Sequence, residues 1–224
     1  MVEQTEVEWP TCVQAGCVGV RSASARMCLA HSGEEDTAAA LKLISETGAI
    51  DARGVHITRA LLERILAAAP RGENGEPLIE GCRFDRATFS GSAGFENAKF
   101  SGVAEFARAT FSNDARFDGA SFARGAEFGG ATFNGGAWFG RASFGASAWF
   151  GRVIFNGHAR FARVTFDADA RFDGASFNAS AGFDWATFNV DARFNQVVFK
   201  LAQGLSARGS SKPASLAHCW PTGD

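Results

Sequence analysis

One eleven-residue stretch decides the fold of this chain: Phe117-Asp118-Gly119-Ala120-Ser121-Phe122-Ala123-Arg124-Gly125-Ala126-Glu127. The unit has the form F-x-x-A-x-F-x-x-x-A-x and recurs through most of the 224-residue chain. All 22 Phe residues lie in this array, at intervals that alternate between five and six, and the chain has no Tyr. The Phe positions are 84, 89, 95, 100, 106, 111, 117, 122, 128, 133, 139, 144, 150, 155, 161, 166, 172, 177, 183, 188, 194 and 199. Self-similarity at a fixed period is the signature of a repeat protein.

The composition of the array favours short strands. An eleven-residue period also occurs in right-handed helical coiled coils, but Gly is frequent here and Leu is absent between residues 79 and 200. Turn-forming pairs recur, as at Asp118-Gly119 and Asn156-Gly157. Each A-x-F triplet places Ala and Phe on one side of a strand and the middle residue on the other. The sequence therefore predicts an all-β solenoid of very short strands joined by corners.

These triplets resemble the pentapeptide repeat, whose usual form is A-(D/N)-L-x-x. The resemblance covers residues 79–205. It extends to residues 9–31, where a W-x-x-C…C…C-L-x-H segment is similar to one that accompanies a Phe-centred actinobacterial subgroup. The resemblance implies a right-handed quadrilateral β-helix, in which four sides make one coil and the Ala and Phe side chains point inward.

An additional residue at every second corner distinguishes this array from the usual repeat. It implies about 22 residues per coil where the family usually has 20, and about five coils between the first and last Phe. We expect these corner residues to be exposed to solvent, because their types vary widely. They are Ser92, Val103, Asp114, Gly125, Gly136, Ser147, His158, Asp169, Ser180 and Asp191.

The Ala positions are tight inward sites, which we call Ala slots. Only Cys82, Val153, Val164 and Val197 are larger residues at these positions. We therefore expect Cys82 to be a small buried side chain and not a nucleophile or a ligand.

Residues 1–35 carry a candidate metal site. Cys12, Cys17, Cys28 and His31 follow the spacing C-x4-C-x10-C-x2-H. Three thiolates and one imidazole form a complete tetrahedral ligand set for structural zinc. The alternative is three unrelated cysteines and a surface histidine. The segment has few apolar residues, so a metal would supply free energy of folding that a core cannot.

Residues 36–78 are expected to form a helical cap over one end of the solenoid. Asp36 is predicted to cap a helix from Thr37 to Glu46, and Thr58 to cap a second helix from about Arg59 to Ala69. Solenoid ends need such covers because they expose backbone edges and apolar surface.

Both ends of the array are expected to be degenerate. Ile50 and Val55 are five residues apart, like many of the Phe residues, and predict an irregular first coil. Leu205 is expected to continue the spacing, six residues after the last Phe. Residues 206–224, rich in Ser, Gly, Pro and Ala, are predicted to be disordered. Without an evident cap, the C-terminal edge could support a homodimer.

The outward strand positions carry the candidate partner-binding residues. One series at 22-residue steps is Gly94, Arg116, Trp138, Arg160 and Gly182, and another is Glu105, Glu127, Trp149, Arg171 and Arg193. We expect Arg116 and Arg160 to stack on Trp138 through cation–π contacts. Trp138 and Trp149, eleven residues apart, should lie on opposite faces. The candidates for partner contact are Trp138, Trp149, Arg116, Arg160 and Arg171, although an outward Trp can also be a packed surface residue.

The leading function is a non-enzymatic scaffold that contacts a protein partner of unknown identity. Family members that imitate DNA and bind type II topoisomerases suggest an alternative. That alternative requires an acidic surface, whereas residues 81–200 contain eleven acidic and thirteen basic residues. A purely structural module is a third interpretation. None of the four His residues has a catalytic partner at a recognisable spacing, so we predict no enzyme and no small-molecule substrate.

The cytoplasm is the expected location. The net charge is −2, and no apolar run is long enough for a transmembrane helix. The N-terminus lacks the apolar stretch of a secretory signal, and five Cys residues do not form a paired disulfide framework. We therefore expect no membrane contact.

Overall fold

The computed structural model describes residues 8–22, 25–200 and 205–206. These residues form a parallel β-solenoid of about six coils, preceded by a small N-terminal head and interrupted near its start by a helix. Successive coils are about 22 residues apart, as predicted. The predicted disordered tail beyond Ser206 lies outside the described residues.

Two helices precede the regular array. Helix α1 spans Glu34–Thr47 and α2 spans Arg59–Ala68. The predicted cap of α2 is confirmed, because the Thr58 hydroxyl accepts a hydrogen bond from the backbone N–H of Leu61. The predicted start of α1 is wrong: its N-cap is Gly33, and Asp36 lies in the first turn. Three acidic residues in that first turn favour the earlier start through the helix dipole.

The strands are mostly two residues long. They are β1 (Ala49–Asp51), β2 (His56–Ile57), β3 (Leu78–Ile79), β4 (Gly81–Arg83), β5 (Thr88–Phe89), β6 (Ala93–Gly94), β7 (Lys99–Phe100), β8 (Ala104–Glu105), β9 (Thr110–Phe111), β10 (Ala115–Arg116), β11 (Ser121–Phe122), β12 (Ala126–Glu127), β13 (Thr132–Phe133), β14 (Ala137–Trp138), β15 (Ser143–Phe144), β16 (Ala148–Trp149), β17 (Ile154–Phe155), β18 (Ala159–Arg160), β19 (Thr165–Phe166), β20 (Ala170–Arg171), β21 (Ser176–Phe177), β22 (Ala181–Gly182), β23 (Thr187–Phe188), β24 (Ala192–Arg193), β25 (Val198–Phe199) and β26 (Leu205–Ser206).

Four parallel sheets form the four sides of the solenoid. Sheet 1 is β1-β4-β8-β12-β16-β20-β24, and sheet 2 is β2-β5-β9-β13-β17-β21-β25. Sheet 3 is β6-β10-β14-β18-β22-β26, and sheet 4 is β3-β7-β11-β15-β19-β23. The chain visits them in that order in each coil. In the first coil α2 takes the place of a sheet 3 strand and packs on β6.

The first coil confirms the predicted degenerate repeat but in a different register. Ile50 pairs with Cys82, and Ile57 pairs with Phe89. Ile50 therefore occupies an Ala slot, and Ile57 occupies a Phe position. The spacing between Ile50 and Val55 misled the prediction, because two residues of each triplet point inward and spacing alone does not distinguish them.

The last described strand is also shifted. Leu205 pairs with Ala181 and not with a Phe, so the interval is 24 residues, two more than in the regular coils. The expectation that Leu205 continues the Phe spacing is therefore wrong. Its partner Ser206, expected to begin the tail, pairs with Gly182 as part of sheet 3.

The core consists of stacked Phe rings. Rings 22 residues apart are nearly parallel, as for Phe100 and Phe122, whose centroids are 4.7 Å apart at an interplanar angle of 3°. Rings eleven residues apart meet edge to face, as for Phe117 and Phe128 at 5.5 Å and 84°. Both arrangements suit the quadrupole of an aromatic ring. The stacks leave no polar partner for a hydroxyl, which accounts for the absence of Tyr.

The Ala slots are fully enclosed, and Cys82 is buried in one of them as predicted. Val153 and Val164 also fit, but with a small expansion of their corners. Their backbone N–H groups lie 3.3 and 3.4 Å from the carbonyl oxygens of Phe150 and Phe161, whereas the equivalent bond of Ala131 is 2.9 Å. The slots therefore accept two additional methyl groups only by stretching a hydrogen bond.

Every coil contains two corners at which the backbone is left-handed. Non-glycine residues hold many of these corners, with φ between 55° and 60°: Arg86, Asn97, Arg108, Arg141, Arg152, Arg163, Trp185 and Gln196. The equivalent corner residues Gly119, Gly130 and Gly174 show that glycine also fits. Residues with a Cβ atom are disfavoured in this region. This strain has no signature in the sequence and was not predicted.

The additional corner residues are mostly exposed or half-buried, as expected, but Gly125 and Gly136 are buried. At Gly136 the cause is Trp138, whose indole lies over the glycine. A Cβ atom on Gly136 would lie 2.6 Å from the indole Nε1.

Replacing Ala120 by Leu is expected to lower the free energy of unfolding by about 1–3 kcal/mol or more, because the buried slot has no room for three additional carbons. Thermal melts followed by circular dichroism measure the loss. Ala123→Leu, at an exposed corner of the same coil, should leave the melt unchanged. Equal melting temperatures for both variants would contradict the inward assignment of the Ala slots.

Arg152→Gly is expected to raise the free energy of unfolding by about 1 kcal/mol, because glycine adopts the left-handed corner without steric cost. For a chain of this size the melting temperature should rise by about 2–4 °C. Arg124→Gly removes the same charge at an exposed residue outside the left-handed region, so it should not stabilise. A gain in both variants, or in neither, would show that backbone strain is not the cause.

Candidate metal centre and interaction surfaces

The structure brings together the four residues of the predicted metal site. The ligand atoms of Cys12, Cys17, Cys28 and His31 all lie within 4.8 Å of one another. The Sγ atoms of Cys12 and Cys28 are each 3.5 Å from Nδ1 of His31, and the Sγ atoms of Cys17 and Cys28 are 3.8 Å apart. All four described cysteines are free thiols. The cluster is close enough to hold a metal ion.

A tight turn positions the first two cysteines. The backbone N–H of Cys12 donates to Gly19 O, and the N–H of Gly19 donates to Sγ of Cys17 at 3.4 Å. Gly19 is packed against the cluster, since a Cβ atom there would lie 3.0 Å from Cβ of Cys28. A second turn, closed by the bond from His31 N–H to Cys28 O, presents the other two residues.

The environment divides the thiols into two kinds. Burial raises the pKa of the Cys28 thiol to about 12, and the adjacent Cys17 sulfur adds to the rise. Burial also opposes ionisation of Cys12, but backbone hydrogen bonds from Cys28 and Gln14, together with the His31 side chain, lower the pKa of its thiol to about 6. A cation that binds here must displace the proton of Cys28, so its affinity should rise with pH.

The head is attached to the first coil through few contacts. The backbone N–H of Val20 donates to Arg53 O at 2.7 Å. The Arg53 guanidinium lies over the Trp9 ring at 5.0 Å, and the indole N–H of Trp9 donates to Val18 O. The sequence analysis did not anticipate this cation–π contact, because residues 9 and 53 are far apart in the chain.

The outward positions lie on two opposite faces, as predicted. Trp138 is on sheet 3 with Arg116 and Arg160 as its strand neighbours, and Trp149 is on sheet 1 next to Arg171. The cation–π stack does not form where it was expected. Among these five residues the guanidinium that lies over an indole is that of Arg171, 5.3 Å from the Trp149 centroid. The Trp138 indole turns its Nε1 edge toward the protein, where that atom has no hydrogen-bond partner.

The Trp149 indole lies across two coils. A Cβ atom on Gly151 would lie 2.6 Å from its Nε1, and one on Gly129 would lie 3.2 Å from its Cδ1. The two glycines therefore form a flat seat for the ring. Trp149 is nevertheless 49% exposed, and Arg171 is held beside it by Asp169 at 3.4 Å. This arrangement presents a large apolar surface and a cation to solvent.

The remaining singled-out residues carry no further cluster. His56 and His158 are exposed on the solenoid surface, and Nδ1 of His158 lies 2.5 Å from the Ser180 hydroxyl. Cys219 and His218 lie outside the described residues. Neither α1 nor α2 has the length and apolar composition that a membrane-spanning helix needs.

These features define the class of the protein: a repeat protein with a four-sided parallel β-solenoid and a thiol-rich head. Residues 78–121, 95–143 and 117–165 match the family model described as Pentapeptide repeats (9 copies). The chain belongs to the pentapeptide-repeat family, and the resemblance seen in the sequence is confirmed. Solenoids of this family are generally non-catalytic. No curated protein and no solved structure showed significant similarity to the chain.

Proposed function

We propose that this chain is a non-enzymatic scaffold that binds a protein partner through the Trp149 face of sheet 1. The observation that supports this function is the exposed indole of Trp149, seated on glycines and stacked with Arg171. Trp and Arg are the residue types most enriched at the centres of protein interfaces. A single exposed Trp is common on protein surfaces, but one held flat by neighbouring coils offers a preorganised contact.

The fold supports a binding role because the surface is rigid. Each outward residue of the array is flanked by parallel strands 22 residues before and after it, so the face loses little conformational entropy when a partner docks. Arg116, Trp138 and Arg160 lie on the opposite face, so a partner that covers Trp149 leaves them free. The five candidate residues therefore divide between two surfaces.

Imitation of DNA is the weaker candidate. On sheet 1 the acidic Glu105 and Glu127 are followed by Trp149, Arg171 and Arg193, so the acidic row ends after two coils. A surface that replaces a DNA duplex requires a continuous series of negative charges. A purely structural role would leave the exposed indole without a purpose.

Trp149→Ser is expected to weaken capture of the partner by about 30-fold or more, in keeping with the loss of a central interface Trp. The measurement is affinity capture with the immobilised chain, followed by titration of the protein that is retained. Ile154→Ser is the matched control, because Ile154 is 40% exposed on the neighbouring sheet 2. The proposal fails if both variants retain the same proteins. Inhibition of a type II topoisomerase in a supercoiling assay would instead favour DNA imitation.

We also propose that the head binds one structural zinc ion. Tetrahedral zinc with Zn–S bonds of about 2.3 Å and Zn–N bonds of about 2.0–2.1 Å separates two sulfurs by about 3.8 Å, and sulfur from nitrogen by about 3.5 Å. These separations match those between Cys17 and Cys28 and between His31 and both Cys12 and Cys28. Four protein ligands complete the shell, so the ion would stabilise the head and would not catalyse a reaction. The free thiols suit the cytoplasm, where we place the chain.

The purified chain is expected to contain about one zinc per molecule by elemental analysis, and Cys12→Ser should remove it and lower the melting temperature. Cys82→Ala removes a thiol that already occupies an Ala slot, so its zinc content should stay at the wild-type level. Zinc affinity in a chelator competition should fall as the pH falls from about 8 to about 6, because protons compete for the thiolates. Sub-stoichiometric zinc, with a Cys12→Ser variant as stable as the wild type, would end the proposal.

A homodimer through the C-terminal edge stays a prediction, because residues 207–224 lie outside the described part of the chain.

A further inference from the structure

A polar cleft of about 1080 Å³ follows sheet 3 and the corner that joins it to sheet 4. We call it the Trp138 cleft. It is lined by Trp138 and Arg160 on the strands, and by Arg141, Arg163 and Trp185 at the corner. The cleft lies on the face opposite Trp149, so it does not depend on the scaffold function proposed above.

Three arginines of the cleft have no acidic partner. Arg141, Arg160 and Arg163 are exposed, and none of them forms an ion pair with a carboxylate among the described residues. Arg116 differs, because its guanidinium lies 4.0 Å from Glu96. The three free guanidinium groups concentrate positive charge in one half of the cleft, which favours an anionic ligand.

The corner residues adopt a strained backbone that the fold does not require. Arg141, Arg163 and Trp185 are left-handed, with φ of 59°, 57° and 60°. One coil before Arg141, Gly119 occupies the same corner position without strain. Long side chains at three successive corners therefore contribute nothing to folding that glycine would not, and a role at the surface accounts for them better.

The two ends of the cleft differ in chemistry. Arg141, Arg160 and Arg163 lie in the later coils, whereas Glu96 and Asp118 line the earlier ones. Coils are about 4.8 Å apart, so Asp118 and Arg163 are separated by about 10 Å along the solenoid. Guanidinium groups bind phosphate oxygens with paired N–H donors. Carboxylates accept hydrogen bonds from sugar hydroxyls and amino groups.

Aromatic surface lies between and beyond these two ends. Trp138 occupies the coil between Asp118 and Arg163, and Trp185, 60% exposed, lies one coil further on. Indole rings stack on nucleobases. We propose that the Trp138 cleft binds a nucleoside phosphate, with the phosphate on the three arginines and the base against an indole. A free nucleotide and a single-stranded nucleic acid both present this chemistry. The site joins residues 22 apart, so no phosphate-binding sequence motif announces it.

Isothermal titration of the full chain with ATP, GTP, CTP, UTP, inorganic phosphate and a ten-nucleotide single-stranded oligonucleotide tests the proposal. At least one nucleotide or the oligonucleotide should bind with a dissociation constant below about 1 mM. Arg163→Gly should weaken that binding by about tenfold or more. Arg152→Gly is the matched control, because it removes an exposed left-handed arginine at the opposite corner. Both variants relieve the same strain and should melt no lower than the wild type, so a loss of binding reports the site and not unfolding.

The arms of the titration separate the sources of the ligand. Tighter binding of the oligonucleotide than of every mononucleotide assigns the cleft to single-stranded nucleic acid, and the reverse order assigns it to free nucleotides. The proposal is overturned if neither binds, or if Arg163→Gly and Arg152→Gly reduce binding equally, since that result reflects general surface charge. It is also overturned if inorganic phosphate binds as tightly as the nucleotides, because the base then contributes nothing.

Discussion

The parallel stacking of Phe rings at the spacing of the β-sheet is the interaction on which the rest of the structure depends. Phe100 and Phe122 are 4.7 Å apart, which is close to the distance between neighbouring strands. Side chains and backbone therefore repeat with one period. An insertion within a coil would remove both from register at once, so every regular coil has the same length. The 24-residue interval before Leu205 occurs only at the last described strand, where no regular coil follows.

This shared period separates stability from surface chemistry. Phe and Ala occupy the inward positions, and the outward residues contribute little to the core. The surface can therefore carry Trp149, Trp138 and strained arginine corners without disturbing the stack. Glycines at positions such as Gly136 and Gly151 complete the arrangement, because their missing side chains provide the seats for the two indoles. The same solenoid thus presents two unlike faces, one with a stacked Trp–Arg pair and one with a cationic cleft.

The head and the array gain order by different means. The array buries aromatic rings along its whole length, whereas residues 8–32 contribute only a few buried apolar side chains. In the head, Cys12, Cys28 and His31 converge around a space of metal-ion size. The head contacts the first coil through Arg53, by one backbone hydrogen bond and one cation–π contact. A bound metal would therefore order the head locally, while the Phe stack maintains the solenoid independently of it.

The sequence by itself determined the solenoid, its period, the inward residues and the four members of the thiol cluster, because each follows from spacing along the chain. Spacing could not assign Ile50 to an Ala slot, since two positions of each triplet point inward. Nor could it show which arginine stacks on which indole, that Arg163 is left-handed, or that Trp138 and Arg163 line one cleft. Those features depend on how neighbouring coils pack and on the rotamers and backbone angles that this packing selects. Contacts between residues in different coils exist only once the chain has wound, so the tertiary structure alone decides them.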